Sequence, residues 1–231
     1  MINFRGKGQT LVDLVDRSDL FRIPALLVVN FQAWQNDSES VIKQVLDAFG
    51  EKTLIVRSSA ENEDSHLTSQ AGKYLSVRDV RINRLSKAIG MVFDSYDVAR
   101  ETNEVIVQIQ LVDASLSGVV FTHDQRSGLP YETYNWHSGK DTSYVTSGRG
   151  GNLWRRLPSH EMGSENVPIE LITVLPMVKE LNNLADGIPL DIEFAMTKSK
   201  DGSEICWLLQ VRPLLVETSQ VKTEDLKILL K

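Results

Sequence analysis

The sequence predicts an α+β chain of two lobes, and three observations carry that prediction. Helical periodicity alternates with short β-branched runs through the first half of the chain. The second half is richer in strand-like runs that read as hairpins. No internal repeat or flexible linker interrupts the 231 residues, a length that suits one large domain or two lobes sharing a core.

The elements follow in order. QTLVDLVDRSDL (9–20) spaces its apolar residues almost as a helix does. FRIPALLVVN reads as a turn leading into a buried strand. SESVIKQVLDAFG opens on serines suited to capping and stops at Gly50. TLIVRSS is a short apolar strand that runs into a polar stretch, 58–72, with no apolar period. A loop of that length inside a domain is usually functional or disordered. YLSVRDV is a strand, INRLSKAIGMVFDSYDVAR an amphipathic helix, and EVIVQIQLVD and SGVVFTHD two further strands. The stretch 128–166 is rich in Gly, Ser, Asn and Trp and suits a two-stranded hairpin with loops. IELITVLPMVKELNNLAD is a helix that Pro176 starts or kinks. LDIEFAM and EICWLLQVRP are strands joined through Asp201-Gly202, a turn signal. The tail after Pro213 is polar, then weakly helical.

Composition excludes several classes of function. Lys plus Arg number 25 and Asp plus Glu 31, a net charge of −6. That balance disfavours non-specific binding to nucleic acid or to an anionic membrane, although a local basic pocket for phosphate is compatible with it. The single cysteine, Cys206, excludes an internal disulfide and a cysteine-rich zinc site and suits a reducing compartment. No apolar run approaches the roughly 18 residues of a membrane helix, and MINFRGKGQTLVDL lacks the apolar core of a signal peptide. The expectation is a cytoplasmic protein with neither nucleic acid nor membrane as partner.

The last hairpin is the most informative chemically. Residues two apart on a strand share a face, so Asp191 pairs with Glu193 and Gln210 with Arg212. A turn at Asp201-Gly202 sets position 191 roughly opposite 210, give or take a register step. Two carboxylates, an amide and a guanidinium then converge. Hard carboxylate oxygens suit Mg²⁺ and the Arg fork suits phosphoryl oxygens. The ordinary alternative is a solvated strand face salt-bridged to Arg212.

Arg57 ends the TLIV run and is followed by Ser58 and Ser59, which puts a cation and several donors where an anion could be held. A plain surface charge is the alternative. Lys7 lies in RGKGQT, whose Gly6 and Gly8 allow close approach of backbone to phosphate. The segment is not a P-loop, and a disordered terminus is its alternative. VTSGRGGN (145–152) is a second glycine-rich loop, carrying Arg149. His66, His123, His137 and His160 show no zinc-ligand spacing and read as loop or surface residues. With no G-x-S-x-G elbow, and with Cys206 between Ile205 and Trp207 as a core thiol, nucleophilic hydrolysis is disfavoured.

The order of these segments resembles one family. VRSSAENEDSHLTSQAGKYLSV is similar to the V-R-S-S-A…E-D…S-x-A-G…x-L-x-V block of phosphoenolpyruvate synthase and pyruvate phosphate dikinase. VQIQLVDASLSGVVFTHDQRSG resembles that family's V-Q-x-M-V…S-G-V-x-F-T-x-D…S-G block. DIEFAMTKSKDGSEICWLLQVRP resembles its closing D-I-E-W-A…L-Q-x-R-P, and GKGQTL its opening G-K-x-x-x-L. These blocks run in family order from Gly6 to Pro213.

The resemblance implies an ATP-grasp fold in which ATP lies between two lobes, 1–104 and 105–215, followed by a connecting tail, 216–231. It implies that Lys7 and Arg57 contact the phosphates and that Gln108, Gln110, Leu111 and Val112 belong to the strand and hinge beside adenine. Asp191 and Glu193 would hold Mg²⁺, and Gln210 and Arg212 would face the phosphates. Lys7, Arg57 and Arg212 are then the charges that support phosphoryl transfer, with the 58–72 loop as a lid. Family members pass phosphate through a histidine, in a T-S-H motif, on a later domain. This chain has no T-S-H, so the expected partners are a phosphohistidine domain and a small-molecule acceptor read elsewhere. The family's G-L-G-E block is also absent. YETYNWHSGKDTSYVTSGRGGN stands in its place and looks closer to the small-molecule kinase branch, such as the L-glutamine kinase of capsule phosphoramidate synthesis. Two other functions stay open: a non-catalytic ATP-binding module, and an ATP-grasp ligase that forms an acyl-phosphate and releases ADP.

Overall fold

A computed structural model describes residues 1–59, 75–96, 102–142, 144–145, 148–158 and 167–216. Most of the 58–72 loop, the end of the helix expected to reach Arg100, His66, His160 and nearly all of the tail lie outside the described residues.

Two antiparallel sheets carry the fold. The first is built from β1 (Leu26–Asn30), β2 (Leu54–Ser59), β3 (Ser76–Val80) and β4 (Glu104–Ile109), in the order β1-β4-β2-β3. Helices α2 (Phe31–Asn36), α3 (Ser38–Phe49) and α4 (Ile82–Asp94) belong to the same lobe. Strand alternation divides its residues between two faces. Val29, Leu54, Val56, Val105 and Val107 pack with Val41, Val45, Leu85, Ile89 and Val92 of α3 and α4 into one core. Val28, Arg57, Ser59, Ile106 and Gln108 are left for the other face.

The second sheet is built from β5 (Ala114–Phe121), β6 (Glu132–Ser138), β7 (Asn152–Arg156), β8 (Leu190–Lys198) and β9 (Glu204–Pro213), in the order β7-β6-β5-β8-β9. Helix α5 (Val174–Ala185), preceded by a 3₁₀ turn at Ile169–Leu171, covers one face. Met177, Val178 and Leu181 pack there with Val120, Tyr134, Ile192, Phe194 and Leu208.

Helix α1 (Lys7–Leu14) joins the lobes. Its Leu11 and Leu14 enter the second core together with Ile2 and Phe21. Its Gly8 approaches Val28 and Ile106 of the first sheet so closely that an added Cβ would lie 2.8 Å and 3.0 Å from their side chains. The expected division at residues 104 and 105 falls at the first residues of β4, a strand of the first sheet, and residues 110–113 connect the two sheets.

Several sequence readings change. The helix expected over 9–20 ends at Leu14: Val15 is extended at φ −56°, ψ 133°, and Asp16 is left-handed at φ 59°. The chain turns there so that Phe21 can be buried and Arg22 can bridge Trp207 alongside β9. The cap of α3 is Asp37 rather than a serine, accepting from the Ser40 N–H at 2.9 Å. Helix α2 was not legible, because its six residues are too few for an apolar period. Pro176 is the third residue of α5, so it sits in the opening turn rather than kinking the helix. The 128–166 hairpin forms as β6 against β7.

Candidate functional site

The site is built where β8 and β9 meet β2. Along β8, Leu190, Ile192, Phe194 and Met196 point into the second core, so Asp191, Glu193, Ala195 and Thr197 share the opposite face. Strand β9 carries a bulge: Glu193 pairs with Gln210 and Phe194 with Leu208, leaving Leu209 as the extra residue. The register is therefore Asp191 opposite Arg212 and Glu193 opposite Gln210, two residues from the 191–210 pairing the turn alone suggested. The bulge lets Leu208 stay in the core while Gln210 and Arg212 face the carboxylates.

Arg212 donates from Nε to Asp191 Oδ2 at 2.9 Å and lies 2.8 Å from it through Nη2. Arg57 crosses from the other sheet. It lies inside β2 rather than at its end and projects from the sheet's inner face. Its Nη1 donates to the Leu209 carbonyl at 3.1 Å, and its Nη2 donates to Glu193 Oε2 at 3.2 Å and Gln210 Oε1 at 3.3 Å. Burial raises the Asp191 carboxyl above the usual carboxylate range; Arg212 opposes that rise, Glu193 adds to it, and Lys7 opposes it. Lys7 thus stands near enough for its charge to act on Asp191.

The start of α1 is fixed by a relay. Gly6, at φ 112°, precedes the helix in a conformation that favours glycine. The Gly8 N–H donates to Ser59 Oγ at 3.0 Å, and the Ser59 N–H donates to the Tyr96 hydroxyl at 3.0 Å. That hydroxyl donates to the Glu104 carbonyl at 2.5 Å. Six sequence-selected residues thus gather in one place: Lys7, Arg57, Asp191, Glu193, Gln210 and Arg212. Sequence reasoning missed the Leu209 carbonyl and the Ser59 relay, because a bulge and a side-chain contact leave no signal in local pattern.

The other selected residues lie elsewhere. Gln108 is buried and donates from Nε2 to the Pro24 carbonyl at 3.0 Å. The Gln110 amide exchanges hydrogen bonds with Asp79: its Oε1 accepts from the backbone N–H at 2.7 Å, and its Nε2 donates to the carboxylate at 2.8 Å. Val112 is exposed. Leu111 lines a cavity of about 770 Å³ beside the connection between the sheets, with Leu14, Phe21, Lys52, Ile109 and Trp207. None of the six clustered residues lines that cavity. In the 128–166 stretch, His137 stacks on Tyr144 with ring centroids 3.7 Å apart, and Arg78 of β3 donates to Thr142 Oγ1 at 3.0 Å, a further contact between the lobes. Burial lowers the pKa of His123, with Glu132 acting the other way. Cys206 is a core thiol, which burial pushes up to about 12.

Among the described residues no group of three or more His, Cys, Asp or Glu side chains could hold a metal. Asp191 and Glu193 supply hard oxygens, and the Gln210 Oε1 and Leu209 carbonyl lie beside them. A Mg²⁺ bound by one or two carboxylates, completing its shell with phosphate oxygens and water, fits such a set. A metal caged by protein alone does not.

No protein-family profile and no curated protein matches the chain. Solved structures do. PH1788 from Pyrococcus horikoshii is similar over 90% of this chain and 88% of its own, at 11% identity and a TM-score of 0.54. ACD1 from Ca. Korarchaeum cryptofilum, solved with coenzyme A, is similar over 91% and 92%, at 10% identity and 0.51. The D-alanine-D-alanine ligase from Coxiella burnetii is similar over 90% of this chain at 9% identity and 0.47, and this chain spans about half of it, 47%. The fold is the two-lobed α+β ATP-grasp fold expected from the sequence. No helix among the described residues is long and apolar enough to cross a membrane.

Proposed function

We propose that this chain is the Mg-ATP-binding part of a dikinase-type phosphotransferase, which cleaves ATP to AMP and phosphate through a histidine on another domain and delivers the phosphoryl group to a small molecule. The observation that carries the reading is Arg57, a cation from one sheet held at Glu193 and Gln210 of the other. Fixed charges of both signs between two lobes suit a metal-bound polyphosphate. The order of the sequence blocks supports the dikinase branch, and the stretch 131–152 the small-molecule kinases within it, with the L-glutamine amide as acceptor.

In this reading Asp191 and Glu193 hold Mg²⁺, which supplies charge neutralisation at the phosphates. Lys7, Arg57 and Arg212 orient the phosphates and offset the charge that develops on them. Catalysis of phosphoryl transfer is largely such positioning and electrostatics. The hinge stretch 108–112 borders the base.

Calorimetric titration of the chain with ATP, with and without Mg²⁺, tests this. Saturable, Mg²⁺-dependent binding that Glu193→Gln weakens without unfolding the chain is expected, as is AMP when a histidine domain and acceptor are supplied. ADP as the accumulating product would replace the kinase reading with that of an acyl-phosphate-forming ligase. Absence of nucleotide binding would leave the chain an interaction module.

A further inference from the structure

We infer that Arg57 is a placeholder for the metal: its guanidinium fills the oxygen-lined position that Mg²⁺ takes with the nucleotide, so the site rejects the metal alone. This rests on the Mg-ATP reading of the site. Glu193 Oε2, Gln210 Oε1 and the Leu209 carbonyl approach it at 3.2 Å, 3.3 Å and 3.1 Å. All three are hard oxygen acceptors, the chemistry a small divalent cation also seeks. The carbonyl is available because the β9 bulge leaves Leu209 out of register.

The pairing is also shielded. The side chains of Arg57 and Glu193 are 18% and 23% exposed, so their attraction is less screened than that of a surface pair. The other carboxylate is engaged in the same way, since Asp191 is paired to Arg212. A bare divalent cation must therefore displace a guanidinium and leave it uncompensated in a partly buried site, where loss of one charged partner is costly. A metal arriving with a polyphosphate supplies the displaced guanidinium with phosphoryl oxygens in the same event, and such oxygens suit the Arg fork. Exchange replaces two internal ion pairs by metal–carboxylate and guanidinium–phosphate contacts. Because Arg57 comes from β2 and its partners from β8 and β9, that exchange also changes what ties the lobes together.

The test uses Mn²⁺ as a paramagnetic probe, counted free and bound by electron paramagnetic resonance, alone and with a non-hydrolysable ATP analogue. Wild type is expected to bind Mn²⁺ weakly alone and tightly with the analogue. Arg57→Ala is expected to bind Mn²⁺ alone about tenfold more tightly than wild type, since the oxygens are then vacant, and to bind the analogue less well. Arg57→Lys, which keeps the charge without the fork, is expected to fall between them. Circular dichroism confirms that each variant is folded; if Arg57→Ala is not, Arg57→Lys decides alone. A merely structural arginine would lower the melting temperature and leave Mn²⁺ affinity unchanged or weaker, and that result overturns the inference. If Mn²⁺ and the analogue bind together but Arg57→Ala shows no gain for Mn²⁺ alone, the inference fails and the nucleotide reading stands. If neither variant nor wild type binds the analogue, the reading fails and the inference with it.

Discussion

The backbone N–H of Gly8 donates to Ser59 Oγ at 3.0 Å, tying the first turn of α1 to the last residue of β2. That bond brings the start of α1, with Lys7 one residue before Gly8, beside the end of β2, with Arg57 two residues before Ser59. The fit leaves no room for a side chain, because a Cβ on Gly8 would meet Val28 Cγ2 at 2.8 Å. Gly8→Ala should destabilise the fold by about 1–3 kcal/mol, the usual cost of overpacking, and, on the proposed Mg-ATP reading, weaken nucleotide binding by shifting Lys7. Chemical denaturation with calorimetry on the same variant checks both. Full stability would mean that α1 slides without cost.

Asp191 gives a pH-dependent expectation. Burial raises its carboxyl above 3.8 in the native state. A native carboxyl that holds its proton more tightly than the unfolded one contributes stability present at low pH and lost as pH rises through the raised value. Asp191→Asn removes that contribution. The melting temperature of the variant minus that of wild type should therefore grow as pH rises above about 4. A difference that stays flat with pH would contradict the assignment.

Glu132 is buried at the start of β6, where its Oε2 accepts from Tyr134 Oη and Arg156 Nε, each at 2.6 Å. Asn182 of α5 donates to its other oxygen at 3.4 Å. Glu132→Ala would leave the Arg156 guanidinium, 8% exposed, without this partner. A loss of about 3–5 kcal/mol is expected in urea unfolding, with nucleotide affinity in the surviving native fraction unchanged. A cost well under that range would mean that water or a rearranged side chain replaces the carboxylate.

Cys206 should be chemically silent in the native chain. Its thiol is buried against Met177 Sδ, 3.6 Å away, and burial pushes it up to about 12. Little thiolate is then present at mildly alkaline pH. Labelling with a thiol-disulfide reagent should be slow in buffer and fast in denaturant. Equal rates would place the thiol within reach of solvent.

Much of the fold was legible because strands and helices are written in local apolar period. TLIVRSS, YLSVRDV and the final hairpin appear at β2, β3 and β8–β9 with ends shifted by one or two residues. The six-residue α2 and the end of α1 were not, since a short helix has no period, and α1 stops where tertiary burial of Phe21 wins over local spacing.

The sequence by itself determined that Asp191 and Glu193 share one face of a strand, and that Gln210 and Arg212 share one face of the next. Alternation requires it. It also carried, through the order of its blocks, the ATP-grasp fold. Only the tertiary structure decided that a bulge at Leu209 sets Asp191 against Arg212 and Glu193 against Gln210. Only it decided that Arg57 crosses between sheets to meet them across a separation of 136 residues from Glu193. Register and inter-sheet contact depend on how whole faces bury against each other, and that is a property of the packed chain rather than of any stretch within it.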